Sequence, residues 1–136
     1  MKLDYAYLKK LLNAIQAKQS HFVNVMSLAQ ELKDPRLNID EDDYYDKFYG
    51  HLFLLKDNWA IEEVYGHNLG VQYTADENVN CSDSFIRLTS SGYDFMTLLN
   101  KEGIADKIKK FTLSSGIYAG KIAAEKAIEK VIDNLT

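Results

Sequence analysis

His21, His51, His67 and Cys81 are the chain's whole supply of imidazole and thiol groups. Zinc chemistry asks for such ligands a few residues apart, or at i and i+4 on one helix. These four are scattered and match no such spacing, so no metal site is predicted. Nucleophilic catalysis asks for a thiol or hydroxyl with a base beside it. Cys81 stands between Asn80 and Ser82 with no neighbouring histidine, and no G-x-S-x-G turn occurs. Gly66 and Gly70 flank a turn signal and precede no helix, so no phosphate-cradling loop is expected. Carboxylates crowd residues 40–46, but acid–base chemistry needs two carboxyl groups in environments that separate their pKa values. A calcium loop needs alternating oxygen ligands around a central glycine, which Asp40, Glu41, Asp42 and Asp43 do not provide. The expectation is a non-enzymatic protein with no catalytic residues, cofactor or metal.

The same carboxylates define a helix. Asp40 suits an N-cap, and Glu41, Asp42 and Asp43 load the first turn, where the helix dipole favours negative charge. Tyr44, Tyr45, Phe48, Leu52 and Leu55 then recur at a helical period. His51, near that apolar face, is expected to be a hydrogen-bonded boundary residue. After Lys56, Asp57 and Asn58 the pattern changes to a short strand over residues 59–64. A helix running into a strand that opens a hairpin is the second half of a winged helix-turn-helix. The predicted class is α+β: a winged helix-turn-helix with a small antiparallel wing and extra C-terminal helices.

Other elements follow from similar signals. A first helix from Asp4 to about Lys18 has a stripe of Tyr5, Leu8, Leu11, Leu12 and Ile15. Residues 21–25 form a short strand. Ser27 caps a second helix that ends before Asp34 and Pro35. Gly66, Asn68 and Gly70 suit positive φ in a turn. Residues 71–74 form a strand, 75–83 a polar loop and 84–89 the closing strand, where adjacent Phe85 and Ile86 leave the register open. Thr89, Ser90 or Ser91 caps a helix holding Tyr93, Phe95, Met96, Leu98 and Leu99. Two more helices are expected at residues 104–111 and 112–135, the last with small residues every fourth position, suited to close packing on the domain or on a second copy. Residues 1–102 form the winged-helix domain and 103–136 a helical extension.

The net charge is −4 over 136 residues. Residues 1–36 carry +3, residues 37–85 carry −9 and residues 86–136 carry +2. The single cysteine excludes an internal disulfide and fits a reducing compartment. With no apolar run long enough to span a bilayer and no signal-peptide core at the start, the expectation is a cytoplasmic protein that does not enter membranes.

Several stretches resemble a known family. They are Met1-Lys2 with Asp4, Leu8, Leu11, Leu12 and Ile15; Lys47-Phe48-Tyr49 with His51, Leu52, Leu54, Leu55 and Ile61-Glu62; Arg87-Leu88-Thr89 with Gly92 and Phe95; and Asp106-Lys107-Ile108-Lys109. Together they are similar to domain-of-unknown-function family 2513, short proteins of bacteria, phages and prophages. The resemblance covers most of the chain and implies a winged-helix core with a trailing helix. It brings no catalytic or ligand residues. Members commonly have a glycine between helix and strand, where this chain has Asn58 and Trp59, and a tryptophan where it has Ser90.

In a helix-turn-helix, the N-terminal residues of the recognition helix meet base edges. Here those residues are acidic and would face a polyanion. The expected function is therefore binding to another protein, of host or phage, through an acidic, tyrosine-rich face. For a phage-borne protein the consequence would be inhibition of a host nucleic-acid-binding or defence protein. The candidate residues are Asp40, Glu41, Asp42, Asp43, Tyr45, Asp46, Tyr49 and His67. The alternative is a DNA-binding transcription regulator using Lys9, Lys10, Lys107, Lys109, Lys110, Lys121, Lys126 and Lys130. A homodimer through the C-terminal helix is also expected.

Overall fold

A computed structural model describes residues 3–18, 21–33, 39–73 and 79–101 of the chain. Over that span the fold is α+β, with helices α1 (Tyr5–Ala17), α2 (Val25–Leu32), α3 (Glu41–Asp57) and α4 (Ser90–Leu99). The strands are β1 (Val23–Asn24), β2 (Ile61–Tyr65), β3 (Val71–Tyr73), β4 (Val79–Cys81) and β5 (Phe85–Leu88). The helices and domain boundary expected beyond residue 102 lie outside the described residues. No helix among the described residues is long and apolar enough to cross a membrane.

Each helix starts where a short polar side chain accepts from an otherwise free N–H. Asp4 Oδ1 accepts from Tyr7 N–H at 3.1 Å, Asp40 Oδ1 from Asp42 N–H at 3.2 Å, and Thr89 Oγ1 from Gly92 N–H at 3.1 Å. At α2 the cap is Asn24, three residues earlier than expected, and Ser27 is its N–H donor at 3.0 Å. Because Asn24 already turns the chain into the helix, the strand expected over residues 21–25 shrinks to two residues.

The core lies between the helices and one face of the sheet. Leu8, Leu11 and Leu12 of α1, Phe48, Leu52 and Leu55 of α3, Ile61 and Ile86 of the sheet, and Phe95 and Leu99 of α4 are essentially inaccessible. Each such side chain stabilises the fold by roughly 1.5–3 kcal/mol relative to exposure. Tyr7, outside the predicted stripe, is buried too, with its ring edge-on to His51 at 5.1 Å.

His51 fixes α3 against α1. It is fully buried, not at the boundary. Its Nδ1–H donates to Lys47 O at 2.7 Å, and its Nε2 accepts from the Asp4 backbone N–H at 3.0 Å. Lys47 Nζ completes the junction, 3.0 Å from Asp4 Oδ2 and 4.7 Å from the centre of the Tyr7 ring.

The main sheet is antiparallel in the order β1-β5-β2. Ile61 pairs with Leu88 and Glu63 with Ile86; a bulge then brings Tyr65 opposite Phe85. That bulge settles the register left open by adjacent Phe85 and Ile86: Ile86 enters the core while Phe85 packs edge-on to Tyr65. The connection between β2 and β5 contains a separate two-stranded sheet, β3-β4. Residues 79–81, expected in a loop, are a strand because Val71, Gln72 and Tyr73 pair with Cys81, Asn80 and Val79.

The turn before β3 is left-handed at Gly66, Asn68, Leu69 and Gly70. Glu63 holds it: Oε2 accepts from Leu69 N–H at 3.0 Å and from Ser84 Oγ–H, while Oε1 lies 3.0 Å from Lys56 Nζ. Burial pushes the Glu63 carboxyl up, but the bonds from Ser84, Lys56 and Leu69 outweigh it and keep the group below its ordinary value.

Candidate functional site

Helix α3 is buried along Tyr44, Phe48, His51, Leu52 and Leu55. At 3.6 residues per turn, the opposite side carries Asp42, Asp46, Phe53 and Asp57 within an arc of roughly 60°. The three aspartates are exposed and Phe53 is half-buried. None of the three aspartates makes an ion pair among the described residues. The stripe is thus anionic with one partly open aromatic ring, and its charge is not cancelled within the described fold.

The eight sequence-predicted residues divide. Asp40 is the helix cap, and Glu41 lies 3.4 Å from Lys33 Nζ. Asp42, Asp43 and Asp46 are exposed. Tyr45 is half-buried, edge-on to Tyr44 at 5.3 Å, with Lys33 Nζ 5.8 Å from its ring centre. Tyr49 is largely structural. Its hydroxyl lies 3.3 Å from Met26 Sδ and 3.6 Å from Cys81 Sγ, joining α3 to α2 and β4. Burial raises the pKa of that hydroxyl, and Cys81 adds to the effect. His67 is exposed at the turn after β2, and no hydrogen bond or ion pair joins it to the α3 stripe among the described residues.

Two residues of this surface carried no sequence assignment to it: Phe53 and Asp57. Phe53 and Asp57 were detectable by extending the helical projection outward from Asp46. Trp59, expected to open the first strand, instead follows the α3 cap Asn58 with φ +60° and is 77% exposed. Strand β2 starts two residues later, because closing α3 requires a left-handed residue there.

Elsewhere, a shallow pocket of about 370 Å³ is lined by Ile15, Phe22, Val23, Leu88 and Tyr93 together with Lys18 and Arg87. Both cations are already paired, Lys18 with Glu31 and Arg87 with Glu62. Cys81 is a free, exposed thiol. Among the described residues, no group of three or more His, Cys, Asp or Glu side chains is arranged to hold a metal ion. Of the lysines assigned to a DNA-binding patch, Lys9 is half-buried and Lys10 exposed on α1; the others lie outside the described residues. Compared with protein-family models, curated proteins and solved structures, the chain gives no match.

Proposed function

We propose that the chain is a winged helix-turn-helix protein without enzymatic activity, whose α3 binds another protein through its acidic outward stripe. Connectivity supports the fold assignment: α1, a short strand, α2 and α3 follow in succession, and β5 then returns between β1 and β2 to complete one antiparallel sheet. The resemblance to domain-of-unknown-function family 2513 points the same way. In that arrangement α3 occupies the place of a recognition helix.

The charge of that helix carries the functional conclusion. Duplex binding depends on neutralising phosphates, yet α3 holds five carboxylates against two lysines. Both lysines are in ion pairs, Lys47 with Asp4 and Lys56 with Glu63. A surface of that sign suits a partner whose own site is basic. A cytoplasmic, phage-type protein that occupies the phosphate-binding groove of a host nucleic-acid-binding or defence protein fits it, and pairing of two copies through the C-terminal segment belongs to the same proposal. The test is titration calorimetry against basic host nucleic-acid-binding proteins and against duplex DNA, at low and physiological salt, with Asp42→Asn/Asp46→Asn as the control. Protein binding weakened in the double variant is the expected result. Tight duplex binding with a steep salt slope would overturn it in favour of a DNA-binding transcription regulator.

A further inference from the structure

Trp59 is the chain's one tryptophan, and it occupies a position where folding is served better by glycine. Two hydrogen bonds close the end of α3: Ala60 N–H to Leu55 O at 2.9 Å and Trp59 N–H to Lys56 O at 3.1 Å. This paired closure requires a left-handed residue after the cap, ordinarily glycine. Trp59 takes that conformation with φ +60°, against the crowding of its own Cβ. Its side chain offers no compensation in burial, being 77% exposed, and the indole has no hydrogen-bond or ring partner among the described residues. Only its backbone is engaged, with the carbonyl accepting from Thr89 Oγ1–H. Local conformation and burial both disfavour the residue, so its use lies outside the fold.

Charge decides what covers it. An exposed indole can meet an apolar surface, a lipid interface, a nucleobase or a cation. Asp57 is exposed two residues away, and Asp42 and Asp46 continue the unpaired stripe along α3. Anionic lipid and nucleic acid are repelled by that array. A purely apolar partner would strip water from the carboxylates without replacing it. A basic polypeptide satisfies both features, and arginine does so best: its planar, weakly hydrated guanidinium stacks on an indole and pairs with carboxylates. From Asp42 to Asp57 the helix rises about 22 Å, a length that about seven extended residues cover.

We propose that Trp59 anchors an arginine-rich segment of the partner protein, with one guanidinium stacked on the indole and others paired with Asp57, Asp46 and Asp42 along α3. This rests on α3 being a protein-binding surface and adds to it the partner's chemistry and the anchoring residue.

The lone tryptophan makes the site its own reporter. The full chain is titrated with a nonapeptide of arginine, one of lysine, and duplex DNA, following tryptophan emission, acrylamide quenching and heat. The expected result is arginine binding stronger than lysine binding, with the indole protected from acrylamide as the peptide saturates. Trp59→Gly, followed by heat alone, melts no lower than the parent but binds the arginine peptide about tenfold more weakly. Asp42→Asn/Asp46→Asn/Asp57→Asn weakens binding by a similar factor and reduces its salt dependence. Absence of arginine-peptide binding overturns the proposal. So does binding that leaves the indole unprotected and is unchanged in Trp59→Gly, although that result would leave the acidic stripe as a protein-binding surface. Preferential binding of the duplex overturns both.

Discussion

The backbone N–H of Asp4 donates to His51 Nε2 across 3.0 Å, tying the start of α1 to the middle of α3. With Nδ1–H given to Lys47 O, the imidazole is neutral and both nitrogens are satisfied. A second proton would place two N–H groups face to face.

Stability should therefore depend on pH in a defined window. Burial lowers the His51 pKa from 6.5, against the opposing effect of its bond to Lys47 O. The unfolded chain takes up the proton first, so stability is full above about pH 6.5 and declines as pH falls through the folded value. Urea denaturation at stepped pH measures the slope. Replacing His51 by leucine should flatten it and cost about 1–3 kcal/mol at neutral pH, because Asp4 N–H loses its acceptor.

Further acid loss should come from carboxyl groups. Burial pushes Asp4 up, but Lys47 and the Tyr7 N–H together hold it below its ordinary 3.8, and Glu63 is likewise held below 4.5. Their contributions are present above those values and disappear as pH falls through the lowered ones. At neutral pH Glu63→Ala should cost about 1–3 kcal/mol by stranding Leu69 N–H and Lys56, with faster amide exchange at Leu69 as the local readout.

Gly92→Ala should be among the most damaging small substitutions. Its Cβ would fall 2.0 Å from Ala60 O, a backbone atom that no rotamer change can remove. A loss of about 1–3 kcal/mol or more is expected from such overpacking, measured as a lowered denaturant midpoint.

Trp59→Gly should act in the opposite direction. Relief of the left-handed strain, partly offset by the greater freedom of glycine in the unfolded chain, should stabilise the protein by about 0.5–1 kcal/mol. Thermal and urea unfolding both test this.

Much of the helical framework was legible in the sequence, because caps and periodicity are local signals. Asp4, Asp40 and Thr89 cap as their types suggest, and Phe48, Leu52 and Leu55 are buried as their spacing requires. What was missed depends on partners distant in the chain. Tyr7 is buried because His51 lies against it, and residues 79–81 are extended because β3 pairs with them. Trp59 reads as a strand residue by type; only the requirement to close α3 makes it left-handed. The near end of the candidate stripe was legible as charge at Asp42 and Asp46. The far end was not, because it is defined by where the helix stops.

The backbone contact beneath Trp59 has a mechanical consequence. Ala60 O accepts from Thr89 N–H at 3.1 Å, Thr89 Oγ1–H donates to Trp59 O, and Gly92 leaves no side chain between α4 and that corner. Main chain abuts main chain there, so the corner has no compliant layer to absorb displacement. A ligand gripping the indole would load the first turn of α4 directly, and slowed amide exchange at Thr89 would register its arrival from the far side of the joint.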